Sequence, residues 1–147
     1  MLMELTLERI RCTKAYTVST LYNSDGKKVF VLDVVEPPVA GLSTSRLKAL
    51  DPGKYKLFLK PNGDRTAIVP VFQSVAQRER FAFARMTKDL RMEGISFHSD
   101  NGVSKALLQC GRLKNSVLTS DTDDFDKLMI SLIIAKQEKQ PIWVNVK

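Results

Sequence analysis

The first half of the chain alternates apolar and polar residues with a period of two, as expected for β-strands with one buried face. Leu5 and Leu7 alternate with polar neighbours near the start, and residues 54–60 place lysine or phenylalanine at every second position. Residues 28–35 carry little polar surface, which favours a central strand covered on both sides. The pattern predicts a chain made mainly of strands.

Turn-forming residues separate these strands. Asp25-Gly26 supplies the positive φ angles of a tight hairpin, Pro37-Pro38 ends the following strand because proline cannot donate to a ladder, and Asp51-Pro52-Gly53 forms a further turn. The residues between the second and third of these turns are predicted to form a crossover loop. Four more strands are predicted at residues 66–72, 77–85, 94–98 and 106–110.

One helix is predicted at residues 121–139, before a final strand at residues 142–146. Aspartates stand near its start, lysines near its end, and Pro141 stops it. Its apolar residues follow the helical spacing of a single buried stripe: Phe125, Leu128, Met129, Leu132 and Ala135. The expected fold is therefore α+β and mainly β, a twisted antiparallel β-sandwich or barrel with one C-terminal α-helix, formed by residues 1–147 as a single domain.

Composition narrows the class of protein. A chain of 147 residues with 44% hydrophobic and 27% charged residues is ordinary for one globular domain. Charges at Glu4, Glu8 and Arg9 interrupt any secretory apolar core, so we expect synthesis in a reducing cytoplasm and no membrane span. Cys12 and Cys110 are then free thiols. With one histidine and no paired cysteines, we expect no metal site and no cofactor.

The candidate chemistry lies in His98 and Cys110. A strand ending in histidine, followed by a polar loop and a cysteine, is one layout of a cysteine nucleophile with its general base. The alternative is that Cys110 is a small apolar filler and His98 a structural histidine, which we favour because free cysteine is commonly buried and inert. Cys12 is interpreted as structural filler as well.

Several segments, taken in their order along the chain, match one domain family. They are residues 4–9, 16–18, 21–22, 31–37, the Pro-x-Gly-x-Tyr turn at 51–55, residues 95–101, Asn115-Ser116, the helix at 125–136 and the strand at 142–146. In these the chain resembles a domain family of unknown function found mainly in phage and prophage genomes and in some bacteria. That family is distantly similar to the L,D-transpeptidases, which are cysteine enzymes that cross-link peptidoglycan.

The chain departs from the family at the residues that carry the chemistry. The family places its cysteine in a Thr/Ser-x-Gly-Cys-Ile pattern, where this chain has Lys105 at the glycine and Ala106 at the cysteine. Cys110 follows four residues later, about 13 Å further along a strand. The glycine after the family's histidine is replaced by Ser99. The resemblance therefore implies a degenerate active site with no catalytic residue, in a phage virion component such as a tail, baseplate or capsid decoration protein.

A net charge of +7 favours acidic partners. The interface candidates are Arg78, Arg80, Arg85 and Arg91, which are interleaved with aromatic residues. Such interleaving also occurs in nucleic-acid modules, but core-in, charge-out alternation explains it more simply. We expect a non-enzymatic interaction or structural protein that binds a protein partner or self-assembles. A cysteine-dependent L,D-transpeptidase or peptidase is the first alternative, and a nucleic-acid binder the second.

Overall fold

The structure is a computed structural model that describes residues 3–24, 30–39, 41, 48–61, 68–74, 80–85, 90–92 and 107–147. One helix and ten strands lie in these ranges. The elements are β1 (Met3–Cys12), β2 (Thr17–Asn23), β3 (Val31–Glu36), β4 (Gly53–Pro61), β5 (Ile68–Ser74), β6 (Arg80–Arg85), β7 (Leu90–Arg91), β8 (Leu107–Lys114), β9 (Val117–Thr119), α1 (Thr122–Gln137) and β10 (Ile142–Val146).

Eight of the strands form a closed barrel. Their order around the wall is β3-β2-β1-β10-β4-β5-β6-β8, and β8 pairs with β3 to close the ring. Inward-facing side chains from every wall strand fill the interior, as in other small barrels. Leu7, Leu32, Phe72, Leu108 and Val144 belong to this core and are almost fully buried.

Two of the eight pairings are parallel. β1 pairs with β10 and β6 pairs with β8 in this orientation, whereas the other wall pairings are antiparallel. A parallel pair needs a crossover connection rather than a hairpin. The chain passes from α1 into β10 at one end of the barrel. The position of α1 therefore sets the direction in which β10 runs beside β1.

α1 covers the end of the barrel where β3 begins. Its start is fixed by Asp121, whose side chain accepts a hydrogen bond from the Asp124 backbone N–H at 3.0 Å, and Asp124 in turn accepts one from the Val31 N–H at 3.1 Å. The stripe predicted from the sequence faces the barrel interior, with Phe125, Leu128, Leu132 and Ala135 buried and Met129 packed beside them. We call this end of the barrel the helix end.

β8 extends beyond the ring and pairs with β9, which pairs with β7. Asn115 and Ser116 form the two-residue turn between β8 and β9, with φ of 51° and 61°, as a type I′ hairpin requires. Gly111 of β8 lies so close to the Thr119 carbonyl oxygen that a Cβ there would collide with it. The extension covers the outer face of β2 and β3 through a second apolar cluster of Val18, Val35, Met92 and Leu118.

The predicted fold class is confirmed, and of the two expected architectures the chain adopts the barrel. β3 is covered on both sides as expected, because Val34 faces the barrel core and Val35 the second cluster. Three predicted segments lie outside the described residues. They are the hairpin turn within residues 25–29, the part of the crossover loop at residues 42–47, and the strand at residues 94–98. No helix in the described ranges is long and apolar enough to cross a membrane.

Candidate functional site

Cys110 lies inside the barrel wall, not in a cleft. It is on β8 opposite Val34 of β3, its side chain is 2% exposed, and its Sγ lies 3.8 Å from the Leu108 carbonyl oxygen. Burial raises the pKa of the Cys110 thiol well above its ordinary value, and the nearby Glu36 carboxylate raises it further. Both effects disfavour the thiolate, which is the form that acts as a nucleophile.

Glu36 is a buried carboxyl group close to Cys110. It is the last residue of β3, its side chain is fully buried, and burial raises its pKa to about 7. Three groups oppose that shift: the Leu50 backbone N–H, which donates to Oε2 at 2.9 Å, the positive charge of Arg9, and the Ser19 hydroxyl at 3.5 Å from Oε1. We call this end of the barrel the Glu36 end.

Glu36 and Arg9 hold the two backbone polar groups of Leu50, a residue of the connection between β3 and β4. Glu36 accepts from the N–H of Leu50, and the Arg9 guanidinium donates through Nη2 to the carbonyl oxygen of the same residue. Thr17 adds a bond from its hydroxyl to the Pro37 carbonyl oxygen at 2.9 Å. Two backbone groups of a buried residue are thus satisfied by side chains, as buried polar groups require.

This polar arrangement suits structural support better than catalysis. The Glu36 carboxylate disfavours ionisation of the Cys110 thiol, so the pair is no thiolate–base dyad. The Arg9 Nε is buried and has no hydrogen-bond partner among the described residues. The described ranges also contain no group of three or more histidine, cysteine, aspartate or glutamate side chains that could hold a metal ion.

The structure describes only some of the residues singled out from the sequence. His98, Ala106 and Arg78 lie outside the described residues, so the distance from His98 to Cys110 is not defined. Arg80 and Arg85 are the first and last residues of β6, a wall strand between β5 and β8. Arg91 is exposed on β7 and pairs with Val117 of β9, and two strands, β8 and β9, lie between β7 and β6 in the sheet. The interpretation of Cys12 as filler is wrong, because Cys12 is exposed where β1 ends.

The outer face of α1 carries an apolar patch that sequence analysis missed. Ile130, Ile133 and Ile134 are 57%, 37% and 47% exposed, opposite the buried stripe. They lie three and four residues apart and so form one continuous surface, which we call the isoleucine face. The signal was present in the run Leu132-Ile133-Ile134-Ala135, where apolar residues occupy more of the helix than one buried face can use.

A second surface lies on the outside of β4 and β10. Lys54, Lys56 and Lys60 point outward from β4, and Trp143 of β10 stands in register with Lys56. The Lys54 and Lys56 ammonium groups lie 4.8 and 5.9 Å from the centre of the Trp143 ring. We call these three lysines, together with Phe58 and Trp143, the lysine strip. The sequence pattern predicted this polar face of β4 without assigning it a role.

No family model, curated protein or solved structure matches this chain. The resemblance to the phage-associated family therefore stays a prediction.

Proposed function

We propose that this chain is a non-enzymatic structural protein that assembles with further copies of itself through the isoleucine face of α1. The resemblance to the phage-associated family extends this proposal. The chain would be a component of a phage virion, built on a degenerate transpeptidase-like scaffold. The barrel serves as a rigid support, and α1 presents the contact surface.

The exposed isoleucines carry the proposal. Single exposed apolar residues are common on protein surfaces, whereas contiguous exposed apolar patches mark interaction sites. A helix that covers a barrel core needs only one apolar face, yet Ile130 and Ile134 are added on the opposite side with about half of each residue exposed. Burying them against a second copy would remove apolar surface from water at about 25 cal/mol per Å².

The burial of Cys110 supports this proposal over the transpeptidase alternative. A cysteine nucleophile needs access to substrate and a lowered pKa, whereas this thiol is enclosed and its pKa is raised. Alkylation measured against pH in a Cys12→Ala background tests the point. We expect slow modification of Cys110 throughout the neutral pH range. Rapid modification below about pH 7 would instead support the transpeptidase alternative.

Self-assembly is tested by light scattering and sedimentation over a concentration series reaching hundreds of micromolar. We expect the wild-type chain to form a defined oligomer and the Ile130→Lys/Ile134→Lys variant to remain monomeric. Ile10→Lys is the matched control, because Ile10 is 66% exposed on β1, away from α1. It should leave the oligomer unchanged.

Two results would contradict the proposal. One is a wild-type chain that stays monomeric throughout the series. The other is an oligomer that survives the double lysine substitution in a variant whose thermal unfolding is normal.

A further inference from the structure

We propose that the lysine strip and the groove beside it bind an acidic polypeptide segment that carries one apolar side chain. The groove has a volume of about 250 Å³ and lies where β4 meets the end of α1. This surface shares no residue with the isoleucine face, so the inference does not depend on self-assembly.

The strip is long enough to meet an extended segment. From Lys54 to Lys60 a strand advances about 20 Å at 3.3 Å per residue. Glu4 of β1, the strand on the other side of β10, lies 4.0 Å from Lys54 in an exposed pair. In the part of the chain that the structure describes, Lys56 and Lys60 make no ion pair. Among the described residues, the charges of Lys56 and Lys60 therefore remain available to carboxylates of another chain.

The aromatic rings of the strip favour a protein ligand over a nucleic acid. Proteins that bind single-stranded nucleic acid offer free ring faces on which bases stack. Here Lys54 and Lys56 lie over Trp143, and Lys56 also lies 5.4 Å from the centre of the Phe58 ring. The rings hold the ammonium groups in place through cation–π attraction. The surface thus presents positioned cations, which suit carboxylates, without an open stacking platform.

The groove supplies a place for an apolar anchor. Its walls include Leu57, Leu59 and Ile142, and its polar members are Lys56, Lys136, Lys139 and Gln140. Among the described residues that line it there is no carboxylate. Those three apolar residues are buried, but Phe58 also lines the groove and is partly exposed. A side chain such as leucine can contact Phe58, while acidic neighbours in the ligand face the lysines. This combination of an apolar pocket and a charged rim is typical of peptide sites.

Lys139 is placed in the groove at a conformational cost. α1 ends in a Schellman motif, in which the Gln140 N–H donates to the Ala135 carbonyl oxygen at 2.8 Å and the Lys139 N–H to that of Lys136 at 3.1 Å. Lys139 occupies the left-handed position of this motif with φ of 57°. Glycine is the residue that adopts this conformation without a Cβ penalty. A lysine at this position therefore places a positive charge at the groove and lowers the stability of the folded chain.

Lys139→Gly is a decisive variant, because it removes the positive charge from the groove and relieves the conformational cost at the same time. The probe is a fluorescent ten-residue peptide of glutamates with one central leucine, titrated at low salt and followed by anisotropy and by the emission of Trp143, the only tryptophan. We expect saturable binding to the wild-type chain. Lys139→Gly should weaken binding about fivefold by removing one charge-assisted contact, yet raise the unfolding temperature, so misfolding cannot explain the loss.

Lys14→Gly is the matched control, since Lys14 is an exposed lysine between β1 and β2 and lies outside the strip. It should leave the affinity within about twofold of wild type. A peptide with serine in place of leucine should bind more weakly, and Lys136→Gln should add to the effect of Lys139→Gly.

Four results would overturn the inference: no saturable peptide binding, equal losses for Lys14→Gly and Lys139→Gly, equal affinity for the serine peptide, or tighter binding of an oligothymidylate of equal charge. None of these results bears on the oligomer formed by the isoleucine face, so the two proposals fail separately.

Discussion

The two ends of the barrel are closed by opposite kinds of chemistry. At the helix end, α1 inserts Phe125, Leu128 and Leu132 into the core. At the Glu36 end, the side chains of Glu36 and Arg9 hold the backbone of Leu50 through hydrogen bonds to its N–H and its carbonyl oxygen. Apolar closure is non-directional and indifferent to pH, whereas the polar closure depends on geometry and on the protonation of Glu36. The molecule therefore has one end whose stability depends on packing and one whose stability depends on charge.

The largest effect on stability is expected from truncating a buried side chain of the apolar closure. Leu132→Ala removes a fully buried side chain from the interface between α1 and the barrel. Loss of transfer free energy and the cavity left behind should lower the free energy of unfolding by about 4 kcal/mol. Urea denaturation checks this value. The loss should be the same at pH 5 and pH 8, and a clear dependence on pH would contradict the contrast between the two ends.

The polar closure should make stability depend on pH. The pKa of Glu36 is about 7 in the folded chain against 4.5 as its ordinary value, so the folded state holds the proton more tightly than the unfolded state. The free energy of unfolding should therefore fall as pH rises from about 4.5 to about 7, by about 3 kcal/mol in total, and stay level above that range.

Glu36→Gln isolates this contribution. The amide oxygen can still accept from the Leu50 N–H, but the group no longer titrates. Denaturation midpoints measured at intervals between pH 4 and pH 8 should show a smaller slope in the variant than in the wild-type chain. Parallel pH profiles for the two proteins would show that Glu36 is not the group responsible.

The smallest effect concerns the start of α1. Asp121→Ala removes the helix cap and the ion pair with Arg112, whose Nη2 lies 2.7 Å from Asp121 Oδ2. Because Arg112 is half exposed, the cap should dominate and the loss in the free energy of unfolding should be about 1 kcal/mol. Asp121→Asn retains the cap and should recover most of that loss in thermal unfolding. A cost for Asp121→Asn equal to that for Asp121→Ala would instead assign the effect to the ion pair.

The elements with a strong local pattern were predictable from the sequence. The alternation along β4 gave the correct buried face, with Tyr55, Leu57 and Leu59 inside. The helix expected at residues 121–139 is Thr122–Gln137, and the final strand is where the spacing placed it. These segments contain their own signals: a period, a cap and a proline stop.

Closure and pairing could not be predicted, because they depend on contacts between segments far apart in the chain. Nothing local to residues 142–146 indicates that they lie between β1 and β4, parallel to the first strand. The burial of Glu36 could not be predicted either, since an acidic residue before Pro37 is typical of the exposed end of a strand. Its partners Arg9 and Leu50 come from other segments of the chain, which only the folded structure brings together.

The position of β10 has a consequence for how the chain folds as it is synthesised. The gap in the wall between β1 and β4 is filled by Ile142–Val146. Until the ribosome has released those residues, β1 and β4 each have an unpaired edge, and exposed edges invite pairing with other chains. Barrel closure is therefore a late event with contacts of long sequence separation, which fold slowly. We therefore expect nascent chains to be more prone to aggregation before β10 is in place than after.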